Sequence, residues 1–366
     1  MTSIHAPRLP PDLVTPALVV DLNVMERNIT SMQAAMTERG IALRPHTKTH
    51  RSVEIARRQV AAGASGITVG TLGEAEVMAA GGLDDIFIAY PVWAGGPNAS
   101  RIRALNEAIQ LSVGVDSVEG AKALGEAVRG SRPLDVLVEI DSGDHRTGAP
   151  DPGSAATVAT AAERAGLRVR GLFTHGGHGY RPNESQQAAV DEVTALAAAA
   201  DTLRAAGIPT DIRSAGSTPT ALLSARDGVT EERPGTYVFG DRQMLHLGAA
   251  AAEQMALWVV ATVVSTSVHG QFVVDAGAKT LAKDLPSFLD GYGLLAGEQG
   301  LTVERTYDYH GVVRRPDGAA APPVGSRVAI LPNHVCPVVN LAEFLIVVRD
   351  GQVVDRWPVD ARTRNG

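Results

Sequence analysis

Residues 135–174 read DVLVEIDSGDHRTGAPDPGSAATVATAAERAGLRVRGLFT. An apolar run, Asp135 to Ile140, ends in a polar turn; an alanine-rich stretch, Gly153 to Ala165, closes on Gly166; a second apolar run, Val169 to Thr174, follows. The order is strand, helix, strand. The glycine suits the left-handed backbone at a helix C-terminus, and strands apolar on both faces are those of a parallel sheet covered on both sides. The same punctuation recurs outward in both directions. Candidate strands lie at Ala42 to His46, Gly66 to Val69, Ile86 to Ala89, Leu111 to Val115, Asp135 to Ile140, Val169 to Thr174, Asp211 to Ser214 and Arg233 to Phe239. Helical stretches between them include Val53 to Ala62, Gly73 to Ala80, Ala121 to Val128 and Asn183 to Ala206. Eight such units predict an α/β fold, a (β/α)₈ TIM-type barrel with a second, C-terminal β domain.

The second domain is read from a change of texture near residue 250. Beyond it come β-rich runs at Leu257 to Thr266, Gln271 to Asp275, Arg327 to Leu331, Glu343 to Val348 and Gln352 to Pro358, with a loop at 317–324. The expected division is a barrel over 26–250 and a β domain over 251–366, with residues 1–25 packed on the latter through the apolar run Ala17 to Val20.

The chain has 366 residues and a formal net charge of −7. It carries no long basic run, which excludes the Lys/Arg-rich face that nucleic acid or an anionic membrane would select. A small-molecule partner is expected. The first twenty residues hold no apolar segment of signal length, so a cytoplasmic protein is expected. Cys336 is the only cysteine, so no intrachain disulfide can form.

In a barrel the βα loops converge at the C-terminal ends of the strands, and chemistry gathers there. The first candidate strand runs into His46-Thr47-Lys48-Thr49-His50. A lysine held there, away from water and beside other positive groups, loses its proton more easily and can form a Schiff base. Gly216-Ser217-Thr218 follows the seventh strand, and Gly235-Thr236 lies on the eighth. Small residues and hydroxyls at this point have the makings of a phosphate cup. In His334-Val335-Cys336, read as an extended segment stiffened by Pro332 and Pro337, side chains at i and i+2 share a face. An imidazole and a thiolate can then reach one metal ion.

The runs Thr15-Pro16-Ala17-Leu18-Val19-Val20-Asp21, Arg44-Pro45-His46-Thr47-Lys48-Thr49-His50, Gly73-Glu74-Ala75-Glu76 and Pro332-Asn333-His334-Val335-Cys336-Pro337 with Asn340 resemble the D-threonine aldolase and D-serine dehydratase family. That family is related to the barrel domain of alanine racemase, and the resemblance runs nearly end to end. It implies pyridoxal 5'-phosphate held by Lys48 with His46 close by, on a barrel followed by a β domain, usually as a homodimer. By motif position Arg146 resembles the arginine that approaches the cofactor's phenolate oxygen. Tyr180 resembles a tyrosine beside cofactor and substrate. Gly216, Ser217, Thr218 and Tyr237 resemble the phosphate-side residues.

The resemblance also implies a divalent metal at His334 and Cys336. Relatives of the D-serine dehydratase type resemble this chain in carrying His and Cys there, whereas D-threonine aldolases carry His and Asp. Thiolate with imidazole favours zinc; a carboxylate suits Mn²⁺ or Mg²⁺. The expected activity is therefore a lyase reaction on a β-hydroxy-D-amino acid, favouring dehydration to a 2-oxo acid and ammonia. Retro-aldol cleavage to glycine and an aldehyde is the alternative. An amino-acid racemase and a non-catalytic carrier of the cofactor are further rivals, and neither needs the metal pair.

Overall fold

The computed structural model describes residues 4–297, 300–316 and 319–366. The chain forms two compact units: Ser31–Lys48, Val53–Gly235 and Thr363–Gly366 make one, and Met1–Thr30, Thr49–Ser52 and Thr236–Arg362 make the other.

The first unit is a ring of eight parallel strands: Ala42–Leu43, Ile67–Val69, Asp85–Pro91, Gln110–Val115, Asp135–Glu139, Arg168–Phe173, Ile212–Ala215 and Glu231–Glu232. Numbered one to eight in chain order, consecutive barrel strands from the second to the eighth pair side by side, and the eighth pairs with the first. A parallel bridge from His46 to Thr68 joins the first strand's extension to the second and completes the circle. The expected barrel is therefore present. Its eighth strand is Glu231–Glu232 rather than Arg233 to Phe239; residues 236–238 form a single 3₁₀ turn. The proline at 234, which lacks an N–H to donate, is separated from the short strand by one residue.

Side-chain hydrogen bonds start several helices. Thr71 accepts from Glu74 N ahead of Leu72–Ala80, and Ser117 accepts from Gly120 N ahead of Val118–Ala127. Each satisfies an N–H that the first helical turn leaves without a partner. A helix at Pro97–Ala108, absent from the sequence reading, fills the space between the third and fourth strands. Phe87, Leu137 and Phe173 form a buried cluster, the two rings meeting edge to face with centroids 5.1 Å apart. A side chain at Gly114 would meet Phe173 Cζ at 2.7 Å, so the fourth strand needs a glycine to admit that ring.

The second unit is a nine-stranded sheet. Ala17–Asp21 lies inside it, antiparallel to Leu257–Ser265, with Val20 opposite Leu257, and parallel to Phe344–Arg349. Arg327–Pro332 also pairs with Leu257–Ser265, and Gln352–Pro358 pairs with Phe344–Arg349. Three short strands, Gly293–Leu295, Val303–Thr306 and Gly311–Arg314, go beyond the sequence reading. Ile4, Met255, Trp258, Ala329 and Leu331 form one buried cluster here. Of the loop expected at 317–324, residues 317 and 318 lie outside the described residues, and 319–324 carry no helix or strand. Among the described residues, no helix is long and apolar enough to cross a membrane.

Candidate active site and metal pair

In the barrel unit, Lys48 follows the first strand within a one-turn 3₁₀ segment, Thr47–Thr49. Its backbone N–H points at His46 Nδ1, 3.4 Å away, and the Thr47 hydroxyl donates to Thr68 O on the second strand. The chain leading into the lysine is thus held, while the lysine itself is exposed. The burial expected around its ammonium is not supplied, and only the second half of the sequence argument, neighbouring positive charge, has support. His175, after the sixth strand, has its pKa driven well below the usual value, first by burial and then by Lys48, Arg146, Arg233 and His178. The cations Lys48, Arg146 and Arg233 act on this histidine, an electrostatic setting suited to an anionic ligand.

Arg146 is exposed, in a loop organised by Asp141, whose carboxylate accepts from Gly143 N and His145 N. Its guanidinium lies 3.8 Å from the Asp144 carboxylate. Tyr180 is half-buried in the one-turn segment Gly177–Tyr180, its ring centroid 6.3 Å from that of His175. His178 bonds Asp191 at 3.0 Å.

The loop Gly216-Ser217-Thr218 is buried. The Gly216 N–H donates to Glu192 Oε1 at 3.1 Å and the Ser217 N–H to Thr220 Oγ1 at 2.9 Å. Those two N–H groups therefore bond inward, and the glycine has an internal reason: φ is +87°, and a Cβ would stand 1.6 Å from Glu232 Oε2. The sequence reading took the glycine as room for a phosphate; the structure shows room for a carboxyl group. Tyr237 is buried in the 3₁₀ turn Thr236–Val238 of the other unit, not on a barrel strand.

Three charged groups of the barrel unit escaped the sequence reading. Arg233 is buried, donates to Ser214 Oγ and Thr174 O, and stands 5.5 Å from the Phe173 ring centroid. The Glu139 carboxyl is pushed up to about 7, first by burial, with the Thr147 hydroxyl and the cations Arg146 and Arg233 pulling the other way. Glu192 is buried on helix Ser185–Ala205. Their one signal in the sequence is a charge inside an otherwise apolar or small-residue run.

In the β unit, Arg327–Pro332 leads through Asn333 into helix Val335–Leu341. His334 is its N-cap, with extended φ −142° and ψ 114°, and Cys336 lies in its first turn. The expected extended segment is thus replaced by a strand-to-helix corner. Pro337 is tolerated in the first turn because its missing N–H would have had no helical partner there. The corner is held firmly: Asn333 Nδ2 donates to Asp284 O and Gly291 O, and Asp241 Oδ2 accepts from Val335 N at 3.2 Å. His334 Nδ1 meets Asp284 Oδ2 at 2.7 Å. Burial would lower the His334 pKa, but the adjoining Cys336 sulfur, Asp284 and Asp241 outweigh it and raise it to about 11. Imidazole and thiol thus lie close together, as two ligands of one metal ion would. The Cys336 thiol also reaches Thr49 Oγ1 at 3.5 Å. Among the described residues, no group of three or more His, Cys, Asp or Glu side chains is gathered around a metal-sized space.

The model of the alanine racemase N-terminal domain matches residues 20–243, and that of a serine dehydratase domain matches residues 256–348. The D-threo-3-hydroxyaspartate dehydratase of Delftia sp. (strain HT23) is 39% identical, over 93% of this chain and 96% of that protein. A solved form of it in which a cysteine is replaced by alanine, described as metal-free, has a TM-score of 0.86 at 38% identity, covering 95% of this chain and 97% of that one. In another solved form the alanine replaces a histidine two positions earlier. The crystal structure of D-threonine aldolase from Filomicrobium marinum gives a TM-score of 0.89 at 32% identity, covering 98% of this chain and 99% of that one. These relatives are lyases. From barrel to β unit, with both domain models matched in order, this chain belongs to the D-threonine aldolase and D-serine dehydratase family, lyases built on the alanine racemase type of barrel.

Proposed function

We propose that this chain is a pyridoxal phosphate- and metal-dependent lyase that dehydrates a β-hydroxy-D-amino acid, a 3-hydroxy-D-aspartate or D-serine, to a 2-oxo acid and ammonia. The observation that carries the choice is the His334 and Cys336 pair with Asp284 on His334 Nδ1. The dehydratase relative likewise has a histidine and a cysteine two positions apart, and the solved form with its cysteine replaced is described as metal-free.

The donor sets fit both groups. The cations around His175 suit an anionic cofactor, and a thiol beside an imidazole suits a soft divalent ion, zinc before Mn²⁺ or Mg²⁺. When bound, pyridoxal phosphate stores the electron pair left at Cα, and the ion polarises the β-hydroxyl for departure. Lys48 holds the cofactor and then carries the α-proton on its Nζ, with His46 orienting the turn. Arg146 keeps the phenolate ionised, Tyr180 flanks cofactor and substrate, and Gly216, Ser217, Thr218 and Tyr237 serve the phosphate. His334 and Cys336 would hold the ion, and Asp284 fixes the His334 ring through Nδ1. The protein acts as a homodimer.

The second reading, cleavage to glycine and an aldehyde, is favoured by the likeness to D-threonine aldolase. Product analysis with D-serine, D-threonine and 3-hydroxy-D-aspartate decides between them. A 2-oxo acid and ammonia are expected, lost on chelation while the yellow colour of the bound cofactor stays. Glycine with an aldehyde would sink the dehydratase choice alone. A Lys48→Ala protein that stays normally yellow would sink the lysine assignment.

A further inference from the structure

Beneath the loop that follows the seventh barrel strand stand two buried carboxyl groups. Glu192 Oε1 accepts the N–H of Gly176, after the sixth strand, at 2.8 Å and that of Gly216, after the seventh, at 3.1 Å. Thr220 Oγ1, which lies beside the Glu192 carboxyl, takes the Ser217 N–H at 2.9 Å. One carboxyl therefore anchors Gly176 and Gly216 directly, and Thr220, packed beside it, holds Ser217. Glu232 closes the arrangement from the other side. Its Oε1 accepts from Ser224 Oγ at 2.8 Å, and its Oε2 fills the place a Gly216 side chain would take.

A carboxylate is costly to bury, and an apolar side chain of similar size would fill the volume without that cost. What the apolar residue could not do is accept two backbone N–H groups from two different loops. We infer that Glu192 is a positioning residue for the cofactor phosphate, clamping the loop after the sixth strand to the loop after the seventh so that Ser217 and Thr218 are held in one conformation. The inference rests on the assignment of Gly216, Ser217 and Thr218 to the phosphate side. The charge state supports it. Burial raises the carboxyl pKa of both residues, and Glu232 is raised further because Glu192 lies near it. Two buried carboxyls this close do not both ionise, so the pair retains a proton, and Glu192 Oε1 still accepts its two N–H donors.

The test is a titration of the apoprotein with pyridoxal phosphate and, separately, with pyridoxal, which lacks the phosphate. The wild-type protein binds the phosphorylated form much more tightly. Glu192→Ala weakens pyridoxal phosphate about 10- to 100-fold, as expected when buried donors lose their acceptor, and leaves pyridoxal within about threefold. Glu192→Gln keeps a carbonyl oxygen for the two N–H groups and restores most of the affinity. Should Glu192→Ala fail to fold, Thr220→Val carries the test by cutting the link to Ser217 alone, with a selective loss of about tenfold. Equal weakening of both ligands, or a folded Glu192→Ala protein with the native preference, overturns the clamp. A wild-type protein that does not distinguish the two ligands overturns the phosphate assignment and the clamp together, a result visible before any variant is made.

Discussion

At the scale of single residues, each candidate side chain works through a partner that sequence spacing does not show. Asp284 lies fifty positions before His334 in the chain and meets its Nδ1 at 2.7 Å. Carboxylates in that place fix the ring of a metal-binding histidine, and their loss weakens metal about 10- to 100-fold. Asp284→Asn is expected to weaken zinc by that amount, measured by competition with a chromophoric chelator, with cofactor binding unchanged. Glu139 makes a different prediction. Its folded carboxyl is raised from 4.5 to about 7, mainly by burial. As pH climbs through that window, the unfolded chain releases a proton that the folded chain keeps, so this group's contribution to stability falls. The loss totals on the order of 3 kcal/mol. Urea unfolding of the apoprotein between pH 5 and 7, about the range of that shift, should show a downward slope that Glu139→Gln flattens. An unchanged slope in the variant would assign the effect to other groups.

Elements were legible where pattern and length agreed. The helix expected at Gly153 to Ala165 is Pro152–Arg164, and the strand expected at Leu111 to Val115 is Gln110–Val115. Local caps do much of this work. Ser117→Ala should cost about 1 kcal/mol in chemical denaturation by freeing the N–H of Gly120 at the start of Val118–Ala127; a change near zero would show that water replaces the cap. The misses have physical reasons as well. Val303–Thr306 carries Glu, Arg and Thr on one short strand, too polar and too brief for a period to emerge. Val335-Cys336-Pro337-Val338-Val339 looks extended because it is β-branched, yet Asp241 captures the Val335 N–H and the segment turns as helix. The inward bonds of Gly216 and Ser217 depend on Glu192 and Thr220, which no local pattern links to them. Residue types at the candidate site were legible in the sequence; what holds each one in place was not.

At the scale of the whole molecule, the proposed function makes a stereochemical statement. If the chain acts as its family resemblance implies, D-serine or a 3-hydroxy-D-aspartate is consumed and the L-isomers are not. Chiral chromatography of a racemic substrate after prolonged incubation should show the L-isomer intact. Consumption of both isomers at comparable rates would count against the dehydratase reading and revive the racemase.

The placement of Ala17–Asp21 bears on how the chain is made. Its Val20 lies opposite Leu257, about 240 residues further on, and its other neighbour begins at Phe344. A ribosome adding roughly 5–20 residues each second needs about 10–50 s to reach the first of these partners. For that time every nascent chain displays Ala-Leu-Val-Val with unsatisfied backbone on both edges, the pattern that invites pairing with a neighbour. The hazard belongs to biosynthesis and disappears from the finished molecule. Crowded translation of this message, rather than heating of the folded protein, is where aggregation should begin.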